Sequence, residues 1–122
     1  MSDRVWIRRA YGEPTNNDGY RVLVDRVWLR GVSKADAQLD EWCKQIAPST
    51  ELRKWFGHAP ERWDGFRSRY RAELGDRDDL VEALVERTRR QRVTLVFGAK
   101  DTEHNQAVVL AELIDERRRS AG

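Results

Sequence analysis

The stretch RVTLVF, Arg92 to Phe97, constrains this chain more than any other. Beyond Arg92 it carries no charge and offers no face suited to water. Such a strand must be covered on both faces, as in a parallel sheet packed between layers. Amphipathic helical patterns stand on either side of it. The predicted fold is therefore α/β, a small, mostly parallel sheet of about three strands packed with about five helices in a single layered domain over residues 1–122. That length suffices for one modest core.

Two further strands are expected. RVWIR, Arg4 to Arg8, alternates Val5 and Ile7 against Trp6, and YRVLVDRVW, Tyr20 to Trp28, is β-branched and aromatic. Alternation along the second puts Val22, Val24, Arg26 and Trp28 on one face and Leu23, Asp25 and Val27 on the other. Between that strand and RVTLVF the period changes. Leu39, Trp42, Cys43 and Ile46 fall on one helical stripe after a cap at Ser33. Leu52, Trp55 and Phe56 form a second stripe ended by Gly57, and Pro60 opens a third with Trp63, Phe66, Tyr70 and Leu74 inward. Leu80, Val81, Leu84 and Val85 mark a fourth. A last helix carries Ala107, Val108, Leu110, Ala111 and Ile114, and Arg117, Arg118 and Arg119 suit the negative end of its dipole.

The polar cluster between RVTLVF and the last helix raises the functional question. In FGAKDTEHNQ, Lys100, Asp101, Glu103, His104 and Asn105 crowd the point where a strand hands over to a helix. One reading is capping, by Asp101 or Thr102. The other is a ligand site. If the last two strands lie side by side in parallel, Gly98 to Lys100 end on the same edge as Trp28 to Arg30, where open α/β sheets bind ligands. In that reading Arg26 and Arg30 grip an anion, Trp28 forms a stacking wall, and Lys100 adds charge. His104 is then the proton-transfer group, Asp101 orients it, and Asn105 orients the ligand. An unpaired Arg26 on an apolar face would need a partner or a ligand in any case.

Composition limits the alternatives. With 23 Lys and Arg against 21 Asp and Glu, the net charge of +2 attracts polyanions only weakly. The arginines of RSRYR and of Arg87, Arg89, Arg90 and Arg92 alternate with acids and are expected to pair at i, i+4 on solvated faces. A DNA-binding regulator using these helices stays open as an alternative, as does a homo-oligomeric interaction module built on the five tryptophans. The single Cys43 excludes an internal disulfide framework and sits on an apolar stripe. His58 and His104 lack metal-ligand spacing, and no phosphate-binding glycine motif, nucleophile elbow or cofactor signature occurs. With no apolar run of the ~20 residues that cross a bilayer and no signal-like start, the expected location is the cytoplasm.

Three segments carry a resemblance. YRVLVDRVWLRGVSKADAQLDEW, IAPSTELRKWFGHAPERWDGFRSRY and VTLVFGAKDTEHNQAVVLAEL, in that order, resemble the YeaO-like bacterial family within domain-of-unknown-function family 488. The match runs from about Val5 to Leu113. The resemblance implies a fold and a set of characteristic positions, not an activity, although some members carry a transcription-regulator label. Leu29 stands where the family usually has Pro, Ala59 where it often has Asp, and Gly98 where it commonly has Ala. More distant relatives carry a Cys-His-Arg cluster at the start of the last helix. Asn105, Gln106 and Ala107 occupy those positions here, so thiol or metal chemistry does not carry over.

Overall fold

A computed structural model describes residues 3–121, leaving Met1, Ser2 and Gly122 outside the described residues. The strands are β1 (Val5–Arg9), β2 (Tyr20–Leu23), β3 (Glu41–Trp42) and β4 (Val93–Phe97). The helices are α1 (Lys34–Ala37), α2 (Thr50–Phe56), α3 (Trp63–Gly75), α4 (Asp78–Thr88) and α5 (Gln106–Ala121). The sheet has four strands in the order β1-β4-β2-β3, and every pairing is parallel. The α/β class and small parallel sheet expected from the sequence are thus present, with β3 as a short additional edge strand.

The central place of β4 explains its composition. It pairs with β1, Val5 opposite Val93 through Arg9 opposite Phe97, and with β2, Tyr20 opposite Val93 through Leu23 opposite Val96. Val93, Leu95 and Phe97 join the main core with Phe66, Tyr70 and Leu74 of α3, Val81, Leu84 and Val85 of α4, and Val109, Leu110 and Ile114 of α5. The opposite face is covered differently. Val96 and Leu23 pack with Ala10 and Leu29, shielded by Trp28, Val32, Leu39 and Trp42. Loops and the edge strand, rather than a second helical layer, close that side.

Nearer the amino ends of the strands the same face is polar. Arg21 of β2 is buried, and its guanidinium donates to Asp18 Oδ2 at 2.6 Å and to the carbonyls of Gln38 and Ala37. Asp18 has no solvent exposure and also accepts from Thr15 N and Oγ1, with Arg8 3.5 Å away. Burial raises its pKa, but the Thr15 and Arg21 bonds and the Arg8 charge outweigh that and hold the carboxyl below the usual range. The next residue, Gly19, has φ 68°, and a Cβ there would lie 2.2 Å from the Arg92 carbonyl oxygen. Only glycine fits that approach.

The sequence-based reading differs from the structure in three places. The stripe Leu39–Ile46 is not one helix: α1 stops at Ala37, Glu41–Trp42 pair with β2, and Lys44–Ile46 form a 3₁₀ turn. The segment can reach the sheet edge only in extended form, and Asp40 Oδ2, accepting from Arg21 N at 2.8 Å, anchors its start. Second, β2 ends at Leu23 rather than Trp28. Third, α3 and α5 are joined by Arg67–Glu112 and Arg71–Glu116, so these arginines pair across helices and not at i, i+4. Among the described residues, no helix is long and apolar enough to cross a membrane.

Candidate functional site

β2 and β4 lie side by side in parallel, so their carboxyl ends meet at one edge, as the strand-end reading requires. A cleft of about 300 Å³ opens there. Pro48, Phe56, Phe66 and Ala99 supply apolar walls, and Asp25, Asn105 and Gln106 supply polar groups. Arg53 and Lys54 of α2, His58 just beyond it, and His104 complete the lining. The lining includes no hydroxyl or thiol side chain.

Asp25 becomes available to the cleft because β2 stops two residues before it, so strand alternation no longer governs its direction. Its carboxylate is held by two donors from the other side of the cleft. Gly98 N donates to Oδ2 at 2.9 Å, and Gln106 Nε2 donates to Oδ1. A Cβ on Gly98 would stand 2.9 Å from Oδ2, so the absence of a side chain permits this approach. Desolvation pushes the Asp25 pKa up to about 6, against the opposing pull of the Gly98 bond, the Arg53 charge and the Gln106 bond.

The KDTEHN segment is ordered by its own side chains. Asp101 Oδ1 accepts from Glu103 N at 2.9 Å and His104 N at 3.0 Å, while Oδ2 lies 2.9 Å from His104 Nδ1. The Glu103 backbone bond, then the His104 side chain, hold the Asp101 carboxyl below its usual range. The His104 ring meets Trp63 edge-on, with centroids 5.2 Å apart. Asn105, not Asp101 or Thr102, caps α5: its Oδ1 accepts from Ala107 N at 2.9 Å and Val108 N at 3.2 Å. Its amide also donates to the Asp101 carbonyl, so the turn and the cap form one unit.

The structure brings His104 and Asn105 to the cleft with Asp101 behind His104, and leaves Arg26, Trp28, Arg30 and Lys100 outside the lining. Arg26 has partners in the protein, donating to the carbonyls of Ala47 and Pro48, both at 3.2 Å. This answers the expected need for a partner without invoking a ligand. Trp28 donates through Nε1 to the Val32 carbonyl and packs edge-on against Trp42, in the core on the other face of the sheet. Arg30 and Lys100 are exposed. Sequence reasoning missed Asp25, Arg53, Lys54 and Gln106 as site residues, and His58 reads from sequence chiefly as a turn residue between Gly57 and Pro60. Asp25 was assigned away from the site by an alternation that ends too early. Arg53 and Lys54 lie off the apolar stripe of a short helix and are exposed, so the pattern carries no signal for them.

Other arginines are occupied within the molecule. Arg92 lies over Trp6 at 3.6 Å, Arg69 over Trp55 at 3.9 Å and Arg87 over Tyr20 at 4.1 Å. Arg117 pairs with Asp78 and Glu82 of α4. No group of three or more potential metal ligands occurs among the described residues.

Fold and site together define a small α/β protein with an all-parallel sheet and a cleft at the carboxyl ends of its central strands. The family model described as the inactive DUF488-N3 subclade matches residues 4–121, and the chain belongs to that family. It is 45% identical over 108 residues to the uncharacterised protein YeaO of Escherichia coli strain K12, covering 88% of this chain and 94% of that one. It is also 46% identical over 114 residues to uncharacterised proteins of Mycobacterium tuberculosis strain H37Rv and Mycobacterium bovis, covering 93% of this chain and 96% of each. No solved structure gives a significant match.

Proposed function

We propose that this chain is a ligand-binding protein whose cleft takes a small anionic molecule without transforming it. The observation that carries this reading is the pair Arg53 and Lys54. Both line a cleft with apolar walls, and among the described residues neither head group makes a hydrogen bond or ion pair with the protein. Two cations beside desolvating walls attract an anion more strongly than the same charges in open water. His104 is braced through Nδ1 by Asp101, which leaves Nε2 for the ligand, and Asn105 holds the turn that presents the ring.

Binding without turnover is supported by the chemistry of the lining. His104 and Asp101 form the base-and-orienter half of a nucleophilic site, but no hydroxyl or thiol stands among the cleft residues to be activated. The description of the family as inactive agrees with this reading. Arg26 serves the site indirectly, by holding the Pro48 carbonyl and with it one wall.

Thermal stability measured with inorganic phosphate, phenyl phosphate and benzoate tests the proposal. A probe present at 100 times its dissociation constant adds about 2.7 kcal/mol to stability. The anions are expected to raise the melting temperature of the wild type and to lose that effect in Arg53→Ala/Lys54→Ala. An equal response in wild type and double variant, or none in either, would overturn the reading.

A further inference from the structure

The floor and the rim of the cleft offer opposite chemistry. At the rim stand the cations Arg53 and Lys54. At the floor stand acceptors. Each oxygen of Asp25 receives one donor, Gly98 N or Gln106 Nε2, both uncharged. A carboxylate has about four acceptor positions, so about half of its capacity is unused by the protein. No cation lies within ion-pair distance of it among the described residues, and Arg53 acts on it only through space. Gln106 spends its amide N–H on Asp25, and its Oε1 makes no hydrogen bond with the described residues.

This is an unusual use of a carboxylate. Asp25 is desolvated yet unpaired, and its orientation is fixed by a backbone N–H at a glycine that leaves no room for a side chain. A structural carboxylate so placed would be expected to receive a cation from the protein itself. Arg53 lines the same cleft and acts on Asp25 only through its charge, with no bond between them.

Resting on the reading of the cleft as an anion site, we propose that its ligand is bifunctional. A nitrogen-borne hydrogen-bond donor, such as a primary ammonium, meets Asp25 and Gln106 at the inner end. A carboxylate or phosphate meets Arg53 and Lys54 at the outer end. The apolar walls of Phe56, Phe66 and Pro48 receive the body between them. The ligand class is therefore amphoteric, and Asp25 determines the specificity for it over simple anions.

Calorimetric titration of the wild-type chain with three probes tests this: 4-(aminomethyl)benzoate, benzoate and benzylamine. The first is expected to bind about tenfold or more tightly than benzoate, the effect of one charge-assisted hydrogen bond. Asp25→Asn should bring that ratio to about one. The wild-type ratio stands even if the variant fails to fold. Equal affinity for 4-(aminomethyl)benzoate and benzoate, both lost in Arg53→Ala/Lys54→Ala, would overturn the amphoteric ligand and keep the anion site. Benzylamine binding as tightly as 4-(aminomethyl)benzoate would overturn the anion site itself, and binding by none of the three would overturn both.

Discussion

The backbone N–H of Gly98 donates to Asp25 Oδ2 at 2.9 Å and so ties the end of β4 to the loop that follows β2. The bond closes the floor of the cleft, and it brings the carboxylate closer to position 98 than a side-chain carbon there would allow without a shift. A methyl at Gly98 would meet Oδ2 at 2.9 Å and Leu29 Cδ2 at 3.2 Å. Gly98→Ala is therefore expected to push Asp25 aside and to lower stability by about 1–3 kcal/mol, the usual range for overpacking. Urea denaturation gives the stability change, and the amide resonance of residue 98 reports the lost hydrogen bond.

The raised pKa of Asp25 makes stability depend on pH in a defined direction. Its carboxyl titrates near 6 in the folded chain, against an ordinary value of 3.8. Between these values the folded protein retains a proton that the unfolded chain has released. Its contribution is fully present below about pH 4 and is lost as pH rises through about 6. Asp25→Asn lacks this loss. The melting temperature of the variant minus that of the wild type should grow between pH 4 and 6 and level off above. Arg53, Lys54, His58 and His104 line the same cleft in both proteins. A difference that does not change with pH would contradict the assignment.

Arg21→Met should be among the most damaging single changes. It leaves the fully buried Asp18 with Arg8, at 3.5 Å, as its remaining ion-pair partner, and deletes the donors to the Gln38 and Ala37 carbonyls. Breaking a buried pair from one side typically costs about 3–5 kcal/mol. Asp18→Asn/Arg21→Met is expected to recover part of that loss, because no buried charge is left unmatched. Chemical denaturation of both variants measures the difference.

Ser49 joins the start of α2 to α3. Its Oγ accepts from Leu52 N at 3.1 Å and donates to Glu73 Oε2 at 2.5 Å. Ser49→Ala should cost about 1 kcal/mol, as expected for loss of a helix cap. Because α2 carries Arg53 and Lys54, hydrogen exchange should quicken first at the amides of α2.

Charge–charge links between α3 and α5 should be far weaker determinants. Arg67–Glu112 and Arg71–Glu116 are partly exposed, and exposed pairs contribute about 0–1 kcal/mol each. Arg67→Ala/Arg71→Ala is expected to shift stability by less than Arg21→Met alone, with the gap narrowing little on adding salt. Thermal denaturation at low and high salt provides the check.

The features legible from residue pattern alone are local. The charge-free run Val93–Phe97 required a doubly covered strand. Ser33 marks its helix's start through a side-chain oxygen, and Gly57 marks an end through a left-handed φ of 52°. These features depend on neighbours a few residues away, so pattern and propensity suffice to read them. The crowding of His104 and Asn105 at the mouth of α5 was legible for the same reason. Packing of the whole chain sets β4 between β1 and β2, adds Glu41–Trp42 as an edge strand, and stops β2 short of Asp25. Each follows from partners distant along the chain. Gln106 reaches Asp25 from 81 residues away, and Arg21 reaches the Ala37 carbonyl from 16. A side chain's own position carries no trace of such a partner, because the energy that selects it arises only when the sheet closes and water leaves the contact.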